Sequence, residues 1–206
     1  MTIINASARA FAARPFAAAE TATPDPWFDA AAYAQLLGTS DNDLIRGGAD
    51  DDEIGGLDGE DLLYGAAGDD LVEGGMGQDI VNGGSGHDRL YGNSIANDGA
   101  DGADIVIDRH GGSDMLYGQA GDDLLEVERR DLYSNIILMD GGAGNDRITL
   151  RTHGRFFDHV TALGGSGDDR IMIEGVLTGM IDAGSGDDLV TIDPRFGDVT
   201  VTLGDM

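Results

Sequence analysis

Residues 64–92 read YGAAGDDLVEGGMGQDIVNGGSGHDRLYG. An aspartate returns at every ninth position, Asp70, Asp79 and Asp88, and two residues after each stands an aliphatic, Val72, Val81 and Leu90. We aligned the whole chain on that aspartate, taken as position 6 of a nine-residue unit. Units then begin at Gly38, Gly47, Gly56, Gly65, Gly74 and Gly83 without a break, at Gly99, Arg109 and Gly118 after an insertion, and at Gly141, Gly164 and Ala183 with wider spacing. Their position-6 residues are Asp43, Asp52, Asp61, Asp70, Asp79, Asp88, Asp104, Asp114, Asp123, Asp146, Asp169 and Asp188. Position 8 took no part in the alignment, yet it reads Ile45, Ile54, Leu63, Val72, Val81, Leu90, Val106, Leu116, Leu125, Ile148, Ile171 and Val190. All are aliphatic, in a chain that is 41% apolar. One side chain per unit is aimed at a core, and the rest is turn or surface.

Composition narrows what such a repeat can do. Glycine occurs 34 times in 206 residues, about twice the usual share of roughly 7%, with no triplet period that would indicate collagen. The formal net charge is −27, from 39 acidic and 12 basic residues, all of the latter arginine. Such a charge opposes compaction by self-repulsion. It leaves no basic footprint for nucleic acid and suits multivalent cations. There is no cysteine, so neither disulfides nor thiolate metal sites staple the fold. No run approaches the 18 apolar residues of a membrane span. The N-terminus, MTIINASARAFAARPFAAAE, has its apolar stretch broken by Arg9, Arg14 and Pro15, unlike a secretory h-region; free of acids until Glu20, it is faintly like an organelle transit peptide.

Four units, GGMGQD, GGSGHD, GGAGND and GGSGDD, carry G-G-x-G-x-D in full; GLDGED, GAAGDD, GADGAD and GQAGDD lose one glycine. The array resembles the calcium-binding nonapeptide G-G-x-G-x-D-x-U-x of repeats-in-toxin (RTX, haemolysin-type) proteins over residues 38 to about 191. The chemistry agrees with the resemblance. Calcium takes six to eight oxygens, carboxylates and backbone carbonyls among them. Glycine lets a turn present its carbonyls, and the aspartate supplies charge. One loop alone has too few oxygens; two stacked loops can share an ion.

The resemblance implies an all-β fold, a right-handed parallel β-roll in which two nonapeptides make a turn of about 18 residues. Same-edge loops then lie one strand spacing, about 4.8 Å, apart. One edge would carry Asp43, Asp61, Asp79, Asp104, Asp123, Asp146, Asp169 and Asp188, the other Asp52, Asp70, Asp88 and Asp114. Beside these aspartates it implies calcium ligands from the turn residues Gly56, Asp58, Gly65, Ala67, Gly68, Gly74, Gly75, Met76, Gly77, Gly83, Gly84, Ser85, Gly86, Gly99, Asp101, Gly102, Gly118, Ala120, Gly121, Gly141, Gly142, Ala143, Gly144, Gly164, Gly165, Ser166, Gly167, Gly184, Ser185 and Gly186. Roughly six to ten Ca2+ ions would then bring about +12 to +20 charges. Several departures are expected to weaken sites locally. Asp41 and Asp50 stand where position 4 is normally glycine, RHGGSD lacks its first two glycines, and the insertion GNSIAND at 92–98 is expected to disturb the stack near Asp88 and Asp104.

Three regions follow. Residues 1–37 lie outside the repeat, and PDPWFDAAAYAQLLG reads as a helical cap with Asp25 as N-cap, Pro26 at N1 and Gly38 ending it. Trp27, Phe28, Tyr33, Leu36 and Leu37 would cover the first turn, since solenoids need capped ends. Residues 38–126 form the regular roll. Residues 127–206 form wider turns that keep calcium loops on one edge only. The opposite corners there gather Arg129, Arg130, Tyr133, Arg151, His153, Arg155, Phe156, Phe157, Arg195 and Phe196, either an exposed recognition patch or aromatics tucked on the roll beside arginines that neutralise acids. The chain stops at VTVTLGDM with no obvious export segment, so either the final turns serve that role or the chain is part of a longer one.

No catalytic constellation is present. H-E-x-x-H, G-x-S-x-G, the P-loop and the Rossmann fingerprint are all absent. Ser85 and His87 fall inside a calcium loop, and His110, His153 and His159 are scattered. The resemblance implies a secreted, non-enzymatic module that stays unfolded where calcium is scarce, passes a type I exporter, folds outside the cell and binds an extracellular protein or glycan. The alternatives are the repeat region of a secreted enzyme or toxin whose catalytic part lies elsewhere, and a surface adhesion module.

Overall fold

The computed structural model describes residues 3–5, 34–94, 102–130, 134–153, 158–196 and 199–203. Among these every regular element is a strand: β1 (Ile3–Asn5), β2 (Ala34–Leu37), β3 (Leu44–Arg46), β4 (Asp52–Asp58), β5 (Leu62–Ala67), β6 (Leu71–Met76), β7 (Ile80–Ser85), β8 (Arg89–Tyr91), β9 (Ile105–Asp108), β10 (Met115–Ala120), β11 (Leu124–Arg129), β12 (Ile136–Ala143), β13 (Arg147–Thr152), β14 (Asp158–Ser166), β15 (Arg170–Ser185), β16 (Leu189–Phe196) and β17 (Val199–Thr202). No helix of the described residues is long and apolar enough to cross a membrane.

Strands pair in parallel with the strand two places on, so the chain winds between two faces as a solenoid of about eight turns. One face holds β1, β3, β5, β7, β9, β11, β13, the first half of β15, and β16. The other holds β2, β4, β6, β8, β10, β12, β14, the second half of β15, and β17. Inward side chains stack in columns because each turn returns them to the same place. Ile45, Leu63, Val81, Val106, Leu125, Ile148 and Ile171 form one column. Leu36, Ile54, Val72, Leu90, Leu116, Met139, Ala162 and Ile181 form its opposite. Nearly all are fully buried, each large aliphatic contributing about 1.5–3 kcal/mol. From β11 onward a second inward row, Val127, Leu150 and Ile173, widens the core.

The expected cap differs in its last part. Ala34–Leu37 is strand β2, paired with Asp52–Gly55, and Gly38 donates onward to the Gly55 carbonyl rather than ending a helix. The first turn of a roll presents a row of open N–H and C=O groups, and pairing with it outweighs the helix preference of AQLL. Leu36 heads the second core column, whereas Trp27, Phe28 and Tyr33 lie outside the described residues. The pairing of β1 with β3 was not foreseen from the repeat.

Candidate metal centre

The two edges of the roll are built by the position-6 aspartates, and a hydrogen-bond ladder fixes their order. On one edge Oδ1 of Asp61 accepts the Asp43 N–H at 2.7 Å, and the same bond recurs from Asp61 to Asp79, Asp79 to Asp104, Asp104 to Asp123, Asp123 to Asp146, Asp146 to Asp169 and Asp169 to Asp188, at 2.8–2.9 Å. On the other, Asp52, Asp70, Asp88 and Asp114 are linked in the same way. The insertion does not break either file. The links from Asp79 to Asp104 and from Asp88 to Asp114 span 25 and 26 residues and are 2.8 Å long. The strands on both sides keep their register across it.

From Asp61 and Asp70 onward Oδ1 of each carboxylate is thereby used, whereas the first aspartates, Asp43 and Asp52, accept the N–H of Thr39 and of Gly48 on Oδ2. In Asp61, Asp70, Asp88, Asp146 and Asp169 Oδ2 is buried and meets no hydrogen-bond donor. In Asp61, Asp70, Asp146 and Asp169 it lies beside the position-1 glycine of its own unit and the position-1 carbonyl of the next same-edge turn. A Cβ on Gly65 would run into both Asp70 Oδ2 and the Gly83 carbonyl, and one on Gly141 into Asp146 Oδ2 and the Gly164 carbonyl. Glycine at this place keeps open a cradle into which a carboxylate oxygen and a carbonyl oxygen both project. A buried acceptor left without a donor costs about 1–3 kcal/mol, and more when charged. The cradle therefore fits a hard cation that prefers oxygen, as Ca2+ does.

Electrostatics point the same way. Burial, before any other cause, pushes the Asp169 carboxyl up to about 6, Asp70 and Asp146 to about 7, and Asp88 to about 8; neighbouring aspartates add to the rise and the ladder bond opposes it. Asp61 is raised for the same reasons. Without a counter-charge these groups favour their protonated form; a divalent ion would hold them ionised.

Position 4 explains two departures. From the second loop of each edge onward, its glycine lies against the position-4 carbonyl of the loop before: Gly59 on Asp41, Gly68 on Asp50, Gly77 on Gly59 and Gly86 on Gly68. Asp41 and Asp50 stand in the first loops of their files among the described residues, where no earlier carbonyl excludes a side chain. Gly102, Gly121, Gly144, Gly167 and Gly186 continue the row. At position 2, Gly75, Gly84, Gly142, Gly165 and Gly184 take positive φ, and so do Leu57, Ala66 and Gln119 at the same place.

Other expected ligands are placed differently. Asp58 is exposed, and its charge adds to the rise of Asp61. Met76, Ser85 and Ser166 likewise point outward, but their carbonyls accept the N–H of Gly59, Gly68 and Gly144 in the preceding same-edge turn; the Ala143 and Ser185 carbonyls bond Gly121 and Gly167 in the same way. Ala67 and Ala120 close strands β5 and β10. Gly99 and Asp101 lie outside the described residues. Gly92 takes the place assigned to Gly99: its Cα faces Asp104 Oδ2 and the Gly118 carbonyl. The repeated Tyr-Gly of Tyr64-Gly65, Tyr91-Gly92 and Tyr117-Gly118 carries that signal, and Tyr91 stacks on Tyr117 with ring centroids 4.8 Å apart.

Sequence reasoning also missed an outer ladder at position 5. There the side chain of one turn accepts the N–H of the next: Asn42 from Glu60, Asp51 from Asp69, Asp69 from His87, Asp122 from Asn145, Asn145 from Asp168 and Asp168 from Asp187. His87 Nδ1 accepts the Ser113 N–H at 2.8 Å, which gives this histidine a structural task. The signal was available, since position 5 is polar in every unit but that of Ala103.

On the second edge the aspartate file ends at Asp114. The registers place Ile137 and then Val160 next in line, both buried. Of the two readings offered for the corners of this edge, Arg129 follows the one in which arginine neutralises acids: it is only 1% exposed, occupies the last inward position of β11 and pairs with Asp108 and Asp114. Arg130 and His153 are exposed, while Tyr133, Arg155, Phe156 and Phe157 lie outside the described residues.

No curated protein matches the chain. The family model for the RTX calcium-binding nonapeptide repeat matches in four copies, at residues 35–63, 55–90, 110–127 and 138–150. Asp104, Asp169 and Asp188 fall outside those segments but stand in the same ladder. The period and the paired edges agree with that match: the chain carries RTX calcium-binding nonapeptide repeats, wound as a parallel β-solenoid.

Proposed function

We infer that this chain is a calcium-triggered folding module that acts outside the cell and has no catalytic role of its own. The position-6 aspartates and the carbonyls of the adjoining loops hold the ions between successive same-edge turns. The observation that carries this reading is that Asp61, Asp70, Asp88, Asp146 and Asp169 each bury a carboxylate oxygen that meets no donor, in a chain of net charge −27. A file of such carboxylates resists closure while ionised and closes when cations neutralise it, so metal binding and folding form one equilibrium. Where calcium is scarce the chain would stay extended, a state suited to passage through a type I exporter; in calcium-rich surroundings it would wind up and present its faces to an extracellular protein or glycan.

The test is circular dichroism at pH 8 during calcium titration and chelation. A cooperative gain of β signal with calcium, not reproduced by magnesium, is expected. An unchanged spectrum after exhaustive chelation overturns the reading.

A further inference from the structure

The end of the second aspartate file holds a group of charges that the nonapeptide does not account for. Asp88, Asp108 and Asp114 are buried, and one ligand oxygen from each lies within 4.8 Å of the others. Asp108 belongs to no motif position. It ends β9, in line with Val127 on one side and, by the same register, with Gly83 on the other. Its side chain therefore enters the space that a position-1 glycine leaves open elsewhere in the roll.

Arg129 closes the group. Its Nη1 donates to Asp108 Oδ1 at 3.1 Å and to the His110 carbonyl, and its Nη2 pairs with Asp114 Oδ2. The other oxygens are accounted for in part: Asp88 Oδ1 accepts from Asp70 N–H and Asp114 Oδ1 from Asp88 N–H. Two remain. Asp88 Oδ2 and Asp108 Oδ2 are buried and meet no donor. Three carboxylates against one guanidinium leave two negative charges in a site shut off from water, where an uncompensated charge is far more costly than at the surface.

We propose that Asp88, Asp108 and Asp114 form a distinct calcium site in which Asp108, a residue outside the repeat, supplies a carboxylate where the other turns offer only backbone, and Arg129 is the positioning residue that fixes Asp108 and Asp114. A divalent ion makes the group neutral, and the two donor-free oxygens give it charged ligands from Asp88 and Asp108. Burial, the largest cause, pushes the pKa of all three carboxyls up, so their ionised forms are disfavoured without a counter-charge. The assignment rests on the calcium reading of the roll. It adds that the second file ends in a side-chain site, after which Ile137 and Val160 continue as core.

Native mass spectrometry of the calcium-loaded full chain counts the ions, with circular dichroism in excess calcium to verify the fold. Asp108→Asn should bind one ion fewer than wild type, and Arg129→Met should bind the same number more weakly. An unchanged count in Asp108→Asn, or one ion more in Arg129→Met, would mean that the guanidinium itself takes the cation's place, and overturns the assignment. Should the variants not fold, anomalous diffraction from wild-type crystals grown in calcium decides: an ion bound to both Asp88 Oδ2 and Asp108 Oδ2 supports the site, and its absence there with ions at the glycine-rich turns refutes this site alone. A wild-type chain whose fold ignores calcium refutes the broader reading instead.

Discussion

Replacing Asp70 by asparagine should act in opposite directions with and without calcium. Asp70 sits inside the second file. Its Oδ1 accepts the Asp52 N–H at 2.8 Å, its own N–H donates to Asp88 at 2.9 Å, and its Oδ2 is buried without a donor. Asparagine keeps an acceptor for Asp52 and removes the charge. At pH 8 the ionised carboxyl, raised to about 7 by burial and by Asp52, Asp51 and Asp69, opposes the calcium-free fold, so Asp70→Asn should fold at least as readily as wild type under chelation. In calcium the same change weakens the gaps on both sides, towards Asp52 and towards Asp88. Each site held at a hundredfold excess over its Kd contributes about 2.7 kcal/mol, so losing two costs about 5 kcal/mol. Asp70→Ala also strips the acceptor from a buried N–H, about 1–3 kcal/mol more, for a sum of about 6–8 kcal/mol against a typical domain stability of about 5–15 kcal/mol. Calcium midpoints followed by circular dichroism at pH 8 should rise from wild type to Asp70→Asn to Asp70→Ala. An Asp70→Asn midpoint at or below that of wild type would refute the reasoning.

Acidity supplies a further check. The raised carboxyls, Asp169 near 6, Asp70 and Asp146 near 7 and Asp88 near 8 against an ordinary 3.8, keep protons in the folded, calcium-free roll that the unfolded chain has already released. Their stabilisation is therefore full below about pH 4 and lost as pH rises through 6 to 8; a chelated sample should show β signal at pH 4 and lose it by pH 8, and a signal that grows with pH would contradict this. Gly77→Ala places a Cβ against the Gly59 carbonyl at φ +139, so backbone strain of about 1–3 kcal/mol should lower the melting temperature in calcium by several degrees. Asp41→Ala, at the same position of a first loop, should shift stability by no more than about 0.5 kcal/mol; equal effects of the two substitutions would dispose of the stacking argument.

Most of the fold could be read from the chain because its order is local and periodic. A turn of 18 residues returns each side chain onto its counterpart, so a nine-residue pattern states both which residues face inward, as Ile45, Leu63 and Val81 do, and which aspartates share an edge. The glycine pattern carried the cradles too, since glycine recurs where the carbonyl or carboxylate of a neighbouring turn needs the space. Where the separation ceases to be constant, sequence no longer says which residues meet. Across the insertion at 92–98 the nine-residue count assigned Gly99 to Asp104, whereas in the fold Gly92 stands against the Asp104 carboxylate. The same insertion sets Asp108 one register step from its nominal unit, and only the folded turn shows it entering the interior beside Asp88 and Asp114, with Arg129 reaching across from β11. That group exists because burial leaves a charge no solvent to turn to, and such a requirement is met by whichever residues three-dimensional packing brings within reach, however far apart they lie along the chain.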